Sequence, residues 1–106
     1  MNTKQLNLTS NDFWPLLNIL NEVCHGIKIN NFENAIGTEK QNVVNFMDNI
    51  AKEEKKNEIL LTLNDSELNF LKNSFEEVFK QIEEWEFQTR IGISTQEARK
   101  IQGKLN

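Results

Sequence analysis

Apolar residues recur at spacings of three and four from Phe13 onward: Phe13, Leu16, Leu17, Leu20, Val23, Cys24 and Ile27 fall on one face of a helix. Leu68, Leu71, Phe75, Val78, Phe79, Ile82 and Trp85 repeat the stripe further on. Thr9, Ser10, Asn11 and Asp12 precede the first stripe and supply oxygens for the free N–H groups of a first turn; Asn64 with Glu67 precedes the second as a cap with its reciprocal acid. The spacing predicts long helices over residues 12–25 and 65–85. Pro15 fits the first if the cap is Asn11 or Asp12, because an early-turn N–H has no intrahelical acceptor. His25 and Gly26 suit its far end, a cation near the carbonyl terminus and then a residue that accepts positive φ. Short segments follow, residues 30–36 and 86–91, closed by Gly37 and Gly92. A last helix then starts at Thr38 with Gln41, and at Ser94 with Glu97. Val43, Phe46, Met47 and Ile50 form the buried face of one; Ala98, Ile101 and Leu105 form that of the other. Leu6 and Leu8, like Leu61 and Leu63, alternate ahead of the long helices, which allows a short strand pairing. The charged residues 52–58 join the two stretches as an exposed helix end.

The two stretches match at an offset of 55 residues. Identical pairs are Leu16/Leu71, Glu22/Glu77, Val23/Val78, Ile27/Ile82, Phe32/Phe87, Ile36/Ile91, Gly37/Gly92 and Gln41/Gln96. Residues 8–12 also echo 61–65, with a shift of two. The matches fall on apolar and turn positions, which points to a duplicated unit. The predicted fold is an all-α helical bundle, one domain over residues 1–106, made of pseudo-repeats at about 6–51 and 60–106. Its long helices should pack together at the centre, with Leu20 and Phe75 buried at equivalent positions.

Length and composition narrow the function. A chain of 106 residues can bury a core of its own. No apolar run is long enough to span a membrane, the first residues carry no apolar signal region, and the single Cys24 cannot form an internal disulfide, so a cytoplasmic protein is expected. Net charge is −4 and unevenly spread: residues 64–86 hold seven acids and two bases, residues 87–106 one acid and four bases. This acidity argues against generic phosphate-backbone binding and permits a cationic partner.

Catalytic chemistry needs convergent groups, and few are present. His25 and Cys24, the one His and the one Cys, are helix neighbours that point apart and cannot form a nucleophile–base pair. Cys24 lies on the apolar stripe and is expected in the core. No paired-Cys or His-x-x-x-His metal spacing occurs, and no glycine-rich phosphate loop. The expectation is a non-enzymatic chain with no catalytic residue, metal or cofactor. The acid pairs Glu53/Glu54, Glu76/Glu77 and Glu83/Glu84 need an enclosed pocket to act catalytically. Glu76/Glu83 and Glu77/Glu84 are seven apart instead and line one side of the predicted helix, either as a solvated face or as an acidic docking surface. Trp14 and Trp85 are read as core or core edge, the alternative being interface anchors.

Phe87, Ile91, Gly92, Ile93, Ser94, Ala98 and Ile101 resemble the DNA-binding helix-turn-helix family in apolar spacing and in the Gly-Ile-Ser turn. Arg99, Lys100 and Lys104 would then charge the second helix. This match covers residues 84–103 only. It departs where that family has a small residue, since Gln88 stands there, and Glu83, Glu84 and Glu86 put negative charge where a DNA backbone would pass.

Leu20, Asn21, Glu22, Val23, Cys24, His25 and Gly26, together with Glu86, Phe87, Gln88, Thr89, Arg90, Ile91 and Gly92 and the Ser94/Glu97 cap, resemble small bacterial immunity proteins of contact-dependent growth inhibition and polymorphic toxin systems. That resemblance implies a cytoplasmic toxin inhibitor that acts by protein–protein interaction, binding a cognate toxin domain, often a nuclease. A nuclease cleft attracts phosphates, so the acid-rich surface of Glu76, Glu77, Glu83, Glu84 and Glu86, with Trp85 as aromatic anchor, is the expected contact. The helix-turn-helix regulator is the alternative; a membrane partner is not expected, and nucleic acid ranks behind protein.

Overall fold

The computed structural model describes residues 3–53 and 58–105. Its chain order is strand β1 (Thr3–Thr9), helices α1 (Ser10–Asn21), α2 (Phe32–Ile36) and α3 (Lys40–Ala51), strand β2 (Glu58–Asn64), and helices α4 (Asp65–Gln81), α5 (Glu84–Ile91) and α6 (Thr95–Gly103). The molecule is mostly helical, as expected, but all-α is only approximate. β1 and β2 pair antiparallel along seven residues each, with Leu6 opposite Leu61 and Leu8 opposite Ile59. Strict alternation is the cause: Leu6, Leu8, Ile59 and Leu63 are buried under the helices, while Gln5, Asn7 and Thr62 face outward. The pairing is therefore longer than the short one the sequence allowed.

Reciprocal caps open α1, α4 and α6, whereas α3 starts after Glu39 rather than at the expected Thr38 with Gln41, and Thr38 Oγ1 accepts instead from Asn42 Nδ2 at 2.8 Å. Asn64 Oδ1 accepts from the Glu67 N–H at 2.8 Å, and the Asn64 N–H donates back to Glu67 Oε1 at 2.9 Å. Ser94 and Glu97 do the same for α6. The cap of α1 is Thr9 rather than Asn11 or Asp12, its N–H donating to Asp12 Oδ2 at 3.4 Å. Pro15 consequently sits in the second turn, and the N–H it lacks would have bonded the Asn11 carbonyl. After Asn21 the helix widens into a π turn over Glu22–Gly26, closed by the Ile27 N–H donating to Glu22 O at 2.7 Å. Gly26 is not at positive φ, contrary to expectation; Gly37 and Gly92 are, at 101° and 99°, and they end α2 and α5.

The second long helix is shorter than the predicted 65–85. It ends at Gln81, and Ile82 is extended (φ −98°, ψ 123°) with its side chain buried. Glu83 then caps a separate helix, α5, that includes Trp85. The stripe continues through the break because Ile82 still points inward, which hid the boundary. Of the charged connection 52–58, residues 54–57, with Glu54 of the Glu53/Glu54 pair, lie outside the described residues.

The core is one cluster drawn from both strands and all six helices. Leu20 on α1 and Phe75 on α4 are both fully buried. Phe75, Phe79 and Phe87 form a run of rings, with Phe79 stacked on Phe87 at 5.6 Å. Ser74 is the buried polar residue, and its hydroxyl donates to Phe70 O at 2.7 Å. Two long-range bonds fasten the short helices to the long ones: Asn18 Nδ2 donates to Ile91 O at 2.7 Å, and Asn73 Nδ2 to Ile36 O at 2.8 Å.

Candidate protein-binding surface

The acids singled out in the sequence lie on two helices rather than one. Glu83, Glu84 and Trp85 form the cap and first turn of α5, and all three are exposed. Carboxylates suit that position because the free N–H groups there carry the positive end of the helix dipole. Trp85 is 79% exposed and Trp14 is 51% exposed, so neither is the core residue its apolar character suggested. For Trp85 the break at Ile82 removes it from the α4 stripe; Trp14 stands beside that of α1. Trp14 is nonetheless braced, its ring edge-on to Phe13 with centroids 5.5 Å apart.

The other three acids are engaged. Glu76 accepts from Gln102 Nε2 on α6 at 2.9 Å. The Glu77 side chain is only 15% exposed, 3.7 Å from Lys80 and 3.3 Å from Gln81 Nε2. Glu86 lies 3.7 Å from Arg90, whose guanidinium also forks onto Glu22 of the π turn. The hydrogen bond to Glu22 and the two carboxylates push the Arg90 pKa up, so its charge is fixed. Glu83 and Glu84 have no ion pair among the described residues, and together with Trp85 they are the free acidic–aromatic part of the surface.

The basic residues of the helix-turn-helix-like segment are mostly spoken for. Arg99 lies over the Phe79 ring, 4.2 Å from its centroid. Lys104 Nζ bonds Asp12 Oδ2 at 2.8 Å. Burial acts to raise the Asp12 pKa, but the Lys104 and Thr9 hydrogen bonds outweigh it and hold the carboxyl below its usual range. Lys100 on α6 has neither an ion-pair nor a ring partner among the described residues.

Cys24 and His25 are not brought together. Cys24 is buried and burial pushes its thiol pKa up, away from the reactive thiolate, whereas His25 is exposed. Among the described residues no cluster of three or more His, Cys, Asp or Glu could hold a metal ion, and no helix is long and apolar enough to cross a membrane.

The chain matches no protein-family model, no curated protein and no solved structure.

One feature escaped the sequence reading. A groove of about 600 Å³ opens between the first turns of α1 and the length of α6, with Trp14 and Pro15 on one wall, Lys100 and Ile101 on the other. Its only signal in the sequence was the Trp14–Pro15 pair inside a helical stripe, because the opposite wall comes from residues some 80 positions away.

Proposed function

We propose that this chain is a non-enzymatic, cytoplasmic protein-binding domain, and that it is an immunity protein neutralising a cognate bacterial toxin with a cationic, nuclease-type active site. The observation that carries the reading is Trp85, 79% exposed at the head of α5 directly after Glu83 and Glu84, which have no ion pair among the described residues. A large aromatic side chain left in water costs solvation free energy that a partner can recover, and aromatic anchors within a charged rim are the usual composition of binding hot spots. Flanking carboxylates select a basic partner and steer its approach. Glu76, Glu77 and Glu86, already tied to neighbours, add to the negative field without offering free groups.

We also read the chain as two copies of one unit: strand, long helix, short helix, last helix. β1 and β2 start 55 positions apart, as do α1 and α4, and α3 and α6. The bonds from Asn18 to Ile91 and from Asn73 to Ile36 exchange under the same offset. The Thr9 and Asn64 caps correspond without the two-residue shift read from the sequence.

The helix-turn-helix reading is the weaker one, because Arg99 and Lys104 are committed within the fold. The test is co-expression with a nuclease-type toxin domain sought among the neighbouring genes, followed by copurification and a growth-protection assay. Protection that is lost with Trp85→Ala supports the reading. A chain that neither copurifies nor protects, but shifts duplex DNA at physiological salt, replaces it with the alternative.

A further inference from the structure

A second, smaller groove lies between α3 and the start of α4, at positions offset by 55 from those lining the α1–α6 groove. There Phe46 and Phe70 meet edge to face, centroids 5.3 Å apart, and about 260 Å³ is left. The corresponding residues of the larger groove are Ile101 and Pro15, and no ring fills the place that a phenyl ring takes in the smaller one. The rim differs as well. Asn45 and Asn49 become Lys100 and Lys104, of which Lys104 is held by Asp12 and Lys100 is unpaired among the described residues. Pro15 adds a third difference, because it leaves the Asn11 carbonyl at the groove without its helical donor.

We propose that the α1–α6 groove binds a small aromatic carboxylate, with its ring between Trp14, Pro15, Ile93 and Ile101 and its carboxylate on the Lys100 ammonium. A planar ring restores the aromatic packing that the smaller groove contains internally, and Trp14, braced by Phe13, offers it an ordered face. The ammonium selects an anion through an ion pair that the uncharged asparagine rim of the other groove cannot supply. The groove shares no lining residue with the Glu83–Trp85 surface.

The test is an NMR titration of the whole chain with 3-phenylpropionate, its neutral amide, and butyrate. The acid should give saturable shifts of the Trp14 indole N–H and of the Ile93 and Lys100 amides. Amide and butyrate should each bind roughly tenfold more weakly, the loss expected when a charged hydrogen bond or the ring contact is missing. Lys100→Gln should lower affinity for the acid roughly tenfold and leave that for the amide unchanged. Ile101→Phe, which mimics Phe46, should abolish binding of all three. Should that variant fail to fold, the exposed Lys100→Gln decides the matter alone. Absence of saturable shifts, equal affinity for acid and amide, or full affinity in Lys100→Gln would each overturn the proposal.

Discussion

Replacing Asn18 or Asn73 by alanine should destabilise the protein by similar amounts, although the two residues share no contact. Each side chain donates to the carbonyl of the last residue of a short helix, Ile91 at 2.7 Å and Ile36 at 2.8 Å. Those carbonyls stand where the chain turns to positive φ at Gly92 and Gly37, so no helical N–H reaches them. A hydrogen bond contributes about 1 kcal/mol net, and a partly buried acceptor left without a partner costs about 1–3 kcal/mol. Both bonds are part-buried, so water can recover some of the loss; about 1–2 kcal/mol is expected for each variant. The double variant should lose the sum to within about 0.5 kcal/mol, because the bonds share no residue. Urea unfolding followed by circular dichroism measures this directly, with an unchanged m value showing that the unfolded ensemble is the same. Asn→Asp should be worse than Asn→Ala, since it sets a carboxylate against a carbonyl. A loss below about 0.5 kcal/mol in either alanine variant, the range of an ordinary surface change, would mean that these bonds do not hold the helices together.

Other consequences are as direct. Phe75→Ala should cost about 3–5 kcal/mol in the same assay, since the ring is fully buried beside Phe79; a loss under about 1 kcal/mol would contradict its place in the core. The Asp12 carboxyl is held below its usual range when folded, so its stabilisation should be complete above the unfolded value of about 4 and fade as pH falls through the lower folded value; Asp12→Asn should flatten that part of the stability–pH curve. Glu83→Lys with Glu84→Lys should slow association with the proposed toxin partner and weaken its dependence on ionic strength without unfolding the protein, lowering the thermal midpoint slightly because the carboxylates at the head of α5 are lost, and a wild-type association rate at low salt would remove these acids from the interface.

How much of this was legible beforehand depended on whether neighbours in sequence carried the signal. The stripes through Leu20 and Phe75, the Asn64/Glu67 and Ser94/Glu97 caps and the glycine stops at Gly37 and Gly92 were all read correctly, because each is set by residues within a turn or two. Ile82 was misread because a residue in extended conformation can bury its side chain on the same face as the preceding helix, so periodicity alone does not mark the break. The strands were underestimated because their pairing, Leu6 with Leu61, closes a loop of more than fifty residues that no local pattern announces. Of the candidate site, sequence identified the acids and Trp85 but not which were free. That depended on Gln102, Arg90 and Lys80 reaching Glu76, Glu86 and Glu77, contacts that only folding creates.

On the two-copy reading proposed above, positions 55 apart point to where the halves would differ in function. Several core positions keep their character under the offset: Leu16 and Leu71, Val23 and Val78, Ile36 and Ile91 are all buried, although buried Ile19 is answered by buried Ser74. Packing density explains this, since a changed volume at such a site costs stability in either half. Two departures fall at the surfaces described above. One is the head of the short helix, where α2 begins at Phe32 but α5 begins three positions earlier in the corresponding frame, and the extra turn consists of Glu84, Trp85 and Glu86 where the first half has Ile29, Asn30 and Asn31. The other is the groove, where Pro15 and Ile101 stand for Phe70 and Phe46. Neither change improves packing: one exposes an indole, and the other enlarges a groove beside a helix that carries an internal proline. Stability alone would favour the opposite substitutions at both places. Ile101→Phe and Trp85→Asn, each of which restores the residue type of the other half, should therefore leave stability unchanged or raised, the first removing the ligand and the second the partner. A loss of more than about 2 kcal/mol in either would mean that the residue serves the fold, and that the asymmetry between the halves is structural in origin.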